Sequence, residues 1–261
     1  MHHLGRHLGA VAAATLLFSA PLSAQPRLVT VTATNLAPVN SIAFAPLHLG
    51  FHRGIFDAFD IGMTAGAGII SVAEGGSGTQ WQADFAAADP MATRGTVGGL
   101  LLAGQSVSQS FMVDVGRNQY FSFANMVVPS NDFFLGNDQP LLLFGSQGEL
   151  LLSSIVQTTN QIWDAGSELF DPAAAGFVGN NGLRSAQNSV VAFNFAELAG
   201  FNGLTTGAGY TFNSQLTAGQ GVYRIDFTSV AVSEPRGVSL LAFAALPFVT
   251  VVRRRLRAMR A

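Results

Sequence analysis

The chain has no cysteine among its 261 residues. That excludes disulfides and thiol catalysis and leaves stability to the core, with or without a bound metal. Lysine is absent too, so every basic side chain other than histidine is an arginine. Between residues 25 and 232, Arg27, Arg53, Arg94, Arg117, Arg184 and Arg224 stand against fourteen acidic residues, a balance of about −8, whereas the whole chain sums to −2. An acidic surface without lysine argues against nucleic acid and anionic lipid as partners, because both need clustered cations, and it suits a divalent cation. The glycine-rich stretch 66–76 is not a phosphate cradle, since no G-x-x-x-x-G-K-[ST] is present. With two tryptophans and three tyrosines against 21 phenylalanines, most of the aromatic content belongs to a core rather than to a sugar-binding surface.

Both ends read as addresses. Residues 1–24 carry Arg6, an apolar run from Leu8 to Phe18 and the small residues Ser19 to Ala24, a secretory signal cut before Gln25. Residues 233–261 carry Ser233-Glu234-Pro235, an apolar run from Val238 to Val252 with Pro247 inside it, and Arg253-Arg254-Arg255-Leu256-Arg257. The run falls short of the roughly 20 residues of a full span, and the arginines would hold its end at the cytoplasmic face. This tail resembles the PEP-CTERM sorting tail of Gram-negative bacteria, which implies an exosortase-type processing enzyme as a partner; an ordinary C-terminal anchor is the alternative. Either way membrane contact is confined to this segment. The expected location is the outer surface, the extracellular matrix or the periplasm, with transient anchoring in the inner membrane.

Residues 25–232 are enough for one domain with a substantial core. Leu28 to Leu36 alternates and reads as a first strand closed by Asn35 and Pro38. His48 and His52, four apart, have a spacing used in zinc sites on helices. The usual glutamate and a third ligand are missing, so a surface or core histidine pair is expected instead. Ile69 to Ala73 is a short helix with a glycine stop. Ser106 to Val115, Tyr120 to Val128, Asn188 to Phe195 and Gly221 to Val232 read as strands, and Glu149 to Val156 is either strand or helix. Ala173 to Gly209 is otherwise mostly loop. The expected fold is all-β, an antiparallel β-sandwich with one short helix and long loops; a loose β-solenoid is the alternative.

Two stretches carry the chemistry. In Met126 to Asp138 an apolar strand meets Pro129, which cannot donate to a ladder, and Phe133-Phe134-Leu135 brings the chain back to an apolar surface. Asp132 is therefore a carboxylate between anchored flanks: either a cation ligand, or part of an Asx-turn in which Asn131 or Asp132 bonds its own backbone. Asn137 and Asp138 look equally ligand-like on the residues alone. In Ile162 to Glu168, Trp163 anchors Asp164, Gly166 allows a sharp turn, and Glu168 follows four positions on. Two carboxylates so close repel unless a cation or a hydrogen-bond network offsets them, and calcium favours several such hard oxygens.

Met126-Val127-Val128-Pro129-Ser130-Asn131-Asp132-Phe133-Phe134-Leu135-Gly136 resembles a motif of the spondin N-terminal domain family. Trp163-Asp164-Ala165-Gly166-Ser167-Glu168 is similar to that family's Asp-Ala-Gly-Thr-Asp/Glu element. Upstream, His52 and the stretch from Ala65-Gly66-Ala67-Gly68 to Ala73-Glu74-Gly75-Gly76 resemble its earlier elements, in the same order. The resemblance implies a C2-like β-sandwich that holds Ca2+ at one end in secreted matrix or cell-surface proteins. Carried over, Asp132, Asp164 and Glu168 are the metal ligands, with loop carbonyls and water completing the shell; Asn137 and Asp138 fall to second choice only through this resemblance. Glu168 is one methylene longer than the usual aspartate, and Gly66 and Ala67 replace the serine and glutamate of the Ala-Ser-Glu-Gly element.

The leading expectation is a non-enzymatic, calcium-binding adhesion or surface-binding domain, with extracellular polysaccharide or surface proteins as partners. One rival is a hydrolase acting on exopolysaccharide with Asp164 and Glu168 as its acid/base pair, which needs ~5–9.5 Å between the carboxyls. The other is a structural domain without metal.

Overall fold

The strict alternation of Val29, Val31 and Ala33 with Thr30, Thr32 and Thr34 becomes strand β1 (Arg27–Asn35), in which Val29, Val31 and Ala33 are fully buried. The computed structural model describes residues 26–232; the secretory-signal reading of 1–24 and the sorting-tail reading of 233–261 lie outside the described residues. In chain order the other strands are β2 (Ala43–Phe44), β3 (Leu47–His52), β4 (Thr93–Val97), β5 (Ser106–Val113), β6 (Tyr120–Val128), β7 (Phe133–Gly136), β8 (Leu141–Leu142), β9 (Ser154–Thr158), β10 (Trp163–Asp164), β11 (Ala192–Phe193) and β12 (Gly221–Ala231). Two helices, α1 (Ala67–Gly75) and α2 (Thr79–Ala88), lie between β3 and β4.

The strands form two antiparallel sheets. One has the order β5-β1-β12-β9; the other has the order β11-β10-β7-β6-β3-β4, with β2 and β8 also paired to β6. Between them lies the main core, built from Val29, Val31, Phe44, Phe51, Phe121, Phe123, Phe144, Ile225 and their neighbours. The fold is thus the expected all-β sandwich with long loops. On the outer face of the smaller sheet the threonines of β1 meet serines of β5: Thr30 with Ser110 at 2.8 Å, Thr32 with Ser108 at 2.8 Å and Thr34 with Ser106 at 2.9 Å. Asn35 turns inward, where its Nδ2 donates to the Ile42 and Leu101 carbonyls and its Oδ1 accepts from Ala37 N–H.

The larger sheet is covered on both faces. From Phe121 to Val128 every residue of β6 is buried, because Phe121, Phe123 and Val127 face the main core while Ala124 faces a second cluster beneath the helices. That cluster contains Phe56, Phe59, Ile69, Val72, Trp81, Phe85 and Phe134. Helix α1 ends at Gly76, whose φ of 63° lets its N–H reach back to the last turn. A second helix, α2, follows the one expected; Trp81 and Phe85, one turn apart, bury against the sheet. Phe85 stacks on Phe56 at 3.9 Å between ring centroids.

Several expectations change in detail. His48 and His52 sit on a strand, where alternation places them on one face. His48 bonds Thr96 Oγ1 and the Gly76 carbonyl, and His52 bonds Ser122 Oγ and accepts from Gly54 N–H, so both are satisfied core histidines. Burial lowers the pKa of both, that of His52 to about 4. The ambiguous 149–156 stretch yields strand β9 at Ser154–Thr158. Of the stretch Asn188 to Phe195, only Ala192–Phe193 is strand, because residues 185–189 instead bond the loop at 166–169. Among the described residues no helix is long and apolar enough to cross a membrane.

Candidate functional site

The two chemistry-bearing stretches are neighbours. β10 pairs antiparallel with β7, setting Trp163 opposite Phe134 and Asp164 opposite Phe133, and Ala165 N–H donates to the Asp132 carbonyl at 3.1 Å. Apolar anchors bring them together: Phe133, Phe134 and Leu135 are buried on both faces of the larger sheet. After β10 the chain turns at Gly166, whose φ is 67°. An added Cβ there would lie 2.8 Å from the Val190 carbonyl oxygen, so glycine is required by both conformation and space.

Neither Asn131 nor Asp132 bonds its own backbone in the Pro129 to Asp132 corner. The local turn is made by Ser130, whose Oγ donates to the Val127 carbonyl and accepts from Phe133 N–H. Asn131 instead reaches Asp171, donating to its carbonyl and accepting from its N–H, both at 3.1 Å. Asp132 is 1% exposed. Its Oδ2 accepts from Ser167 N–H at 2.7 Å, Glu168 N–H at 2.9 Å and Ser167 Oγ at 3.1 Å. Among the described residues its Oδ1 takes no such bond. Asp132 is therefore a tether between the two loops, and the Asx-turn expectation gives way because the partners lie across the loop rather than within it.

Asp164 accepts from Gly166 N–H at 2.6 Å and lines a cavity of about 490 Å³ with Glu197, Gln187 and Asn194. Burial raises its pKa to about 7, and Asp132 and Glu197 push the same way against the Gly166 N–H. Glu168 is buried, and burial raises its pKa to about 7 as well; Arg184 and Asn131 oppose this, while Glu74 and Asp132 reinforce it. Arg184 lies between Glu168, at 2.9 Å, and Glu74, at 2.6 Å. The approach to Glu168 lacks hydrogen-bond geometry, since its Oε1 has no hydrogen-bond partner. Burial raises Asp132 too, against its three donors.

One corner of the sandwich thus holds five carboxyl groups, Glu74, Asp132, Asp164, Glu168 and Glu197, linked by pairwise repulsion mainly through Asp132, and one guanidinium, Arg184. Sequence reasoning paired three of these. Glu74 lay in a stretch that had drawn attention for another reason, but nothing in their local sequence marked Arg184 or Glu197, which come from long loops. Calcium takes six to eight oxygens. Asp132 and Asp164 retain oxygens that could serve it, but Glu168 would have to release Arg184 first. Among the described residues no three His, Asp or Glu side chains converge on one metal position. Loop carbonyls and water would therefore have to provide most of the shell.

No protein-family model matches the chain, and no curated protein matches it. The likeness to the spondin N-terminal domain family therefore rests on the motifs themselves.

Proposed function

We propose that the chain is an exported, non-enzymatic β-sandwich that binds Ca2+ at the acidic corner and serves in matrix or cell-surface adhesion. Asp132 and Asp164 are its first ligands, and Glu168 joins when Arg184 is displaced. The observation that carries this reading is the imbalance of five carboxyl groups around one arginine. Two of those groups have pKa values raised to about 7. At neutral pH such a corner gains from an added positive charge. The motif order that resembles the spondin family supports it as well. In this reading the 233–261 segment is handed to an exosortase-type enzyme, and that segment is the only membrane contact.

Calorimetric titration of the full chain with CaCl2 tests the proposal. Wild type should give a saturable isotherm, and Asp164→Asn, confirmed folded by circular dichroism, should lose it. Identical saturable isotherms would show that the site is wrong, and no heat in either would leave a structural domain without metal. A second reading, a hydrolase acting on exopolysaccharide, draws on the cavity that Asp164 shares with Glu197; turnover of glycans by wild type and not by Asp164→Asn would favour it.

A further inference from the structure

The open edge between the two sheets holds a second cavity, of about 370 Å³, lined by residues of β9 on one side and of β7, β8 and β10 on the other. Its volume lies within the ~300–1,000 Å³ of small-molecule sites. Inward positions of a sandwich strand are normally apolar, yet β9 turns Gln157 inward, 4% exposed, with its Oε1 lacking any hydrogen-bond partner. Across the cavity Trp163 Nε1 is also buried without an acceptor. Gln157 and Trp163 thus line the same cavity, each carrying a polar atom that is sealed from solvent and unpaired, and leaving such groups unpaired is costly.

The rest of the lining is amide-rich. Gln161 Oε1 is taken by Thr158, leaving its Nε2, and Asp138 Oδ1 is taken by Ile61 N–H, leaving its second oxygen. Leu141 and Ile155 add apolar surface beside the indole of Trp163. No arginine lines the cavity and Asp138 is its one carboxylate. That argues against an anion, which would lack a counter-charge, and against a hard cation, which needs more oxygens of charge. It also argues against glycoside hydrolysis, which needs two carboxyls. A hydroxyl both donates and accepts, so adjacent hydroxyls satisfy amide side chains while C–H faces lie on Leu, Ile and Trp.

We propose that this cavity is a binding subsite for a neutral saccharide, with Gln157 and Trp163 as its hydrogen-bonding residues. The proposal rests on the reading of the chain as an exported binding domain but uses neither calcium nor the acidic corner. The test is titration of the full chain with cellohexaose, xylohexaose and chitohexaose, followed by tryptophan fluorescence and calorimetry, once with calcium and once with EGTA. At least one oligomer should bind saturably, equally well in EGTA. Trp163→Phe, which keeps a ring and removes the N–H, and Gln157→Leu should each weaken binding roughly five- to tenfold. Failure of all three oligomers to bind, or wild-type binding by both variants, would overturn it. So would a Gln157→Leu variant that is more stable than wild type while no oligomer binds, the mark of ordered water only. Binding lost in EGTA would place the saccharide at the acidic corner and overturn this site, whereas binding with a silent calcium titration would refute only the calcium reading.

Discussion

Asp164→Asn should stabilise the protein at alkaline pH in the absence of calcium. The asparagine keeps an oxygen to accept from Gly166 N–H and removes a charge that burial, Asp132 and Glu197 all disfavour. A rise from 3.8 to about 7 corresponds to about 4 kcal/mol at ~1.36 kcal/mol per pH unit. Partial solvent access cuts that to about 1–2 kcal/mol. The folded pKa lies above the unfolded one, so this contribution to stability is fully present below 3.8 and is lost as pH rises through about 7. Wild type therefore loses stability over that window and the variant does not. For a domain of this size, melting in EGTA at about pH 8 should place the variant roughly 2–8 °C higher, and at about pH 4 the two should coincide. Calcium reverses the order: at a hundredfold excess over Kd a ligand adds about 2.7 kcal/mol to wild type, and the variant gains little. A variant that melts below wild type in EGTA at alkaline pH would refute the reasoning, since the carboxylate would then be a net stabiliser without any cation.

Asp132→Ala should destabilise the protein by about 2–4 kcal/mol in urea unfolding at neutral pH, because Ser167 N–H, Ser167 Oγ and Glu168 N–H lose their common acceptor. Asp132→Asn, which keeps one accepting oxygen, should recover much of that loss. Arg184→Gln leaves Glu168 and Glu74 without their guanidinium; the arginine is partly exposed, so the loss should be about 1 kcal/mol at neutral pH. That loss should shrink as acidification protonates Glu168. If Glu168 joins the cation, the same variant should bind calcium more tightly, because the competing guanidinium is gone.

The β-sandwich was legible where one face of a strand is solvent-exposed. β1 alternates in sequence and in burial, and β12 alternates along its first half. β6 shows why the pattern blurs elsewhere. Ser122 and Ala124 look like outward positions, yet they are buried, because a second layer covers that face; Met126 is buried in a separate small cluster with Ala43 and Val128. That layer depends on α2, whose apolar content is two aromatic anchors among alanines and polar residues, too sparse to mark a helix by periodicity. The corner's two motifs were legible because each sets its acid beside aromatic anchors, the buried Phe133 and Phe134 in one and the half-buried Trp163 in the other. Arg184 was not, since it reaches Glu168 and Glu74 from a loop far along the chain, and nothing local to residue 184 encodes that contact.

Asp132 joins the two halves of this corner in different ways. Its Oδ2 ties the 167–168 backbone to the Pro129 to Asp132 turn, which fixes the geometry, and its negative charge raises the pKa of Asp164, Glu168 and Glu197, which makes the geometry unfavourable at neutral pH. The tether works best with Asp132 ionised, since N–H donors strengthen toward an anion. Each gain in the tether is therefore a loss for the surrounding acids. Arg184 offsets it on the Glu168 and Glu74 side alone. Asp164 and Glu197 have only the Gly166 N–H and Asn194 amide. The unmet charge thus lies toward the 490 Å³ cavity that Asp164 and Glu197 line, and under the proposed reading a divalent cation bound on that side would relieve the strain without breaking the tether.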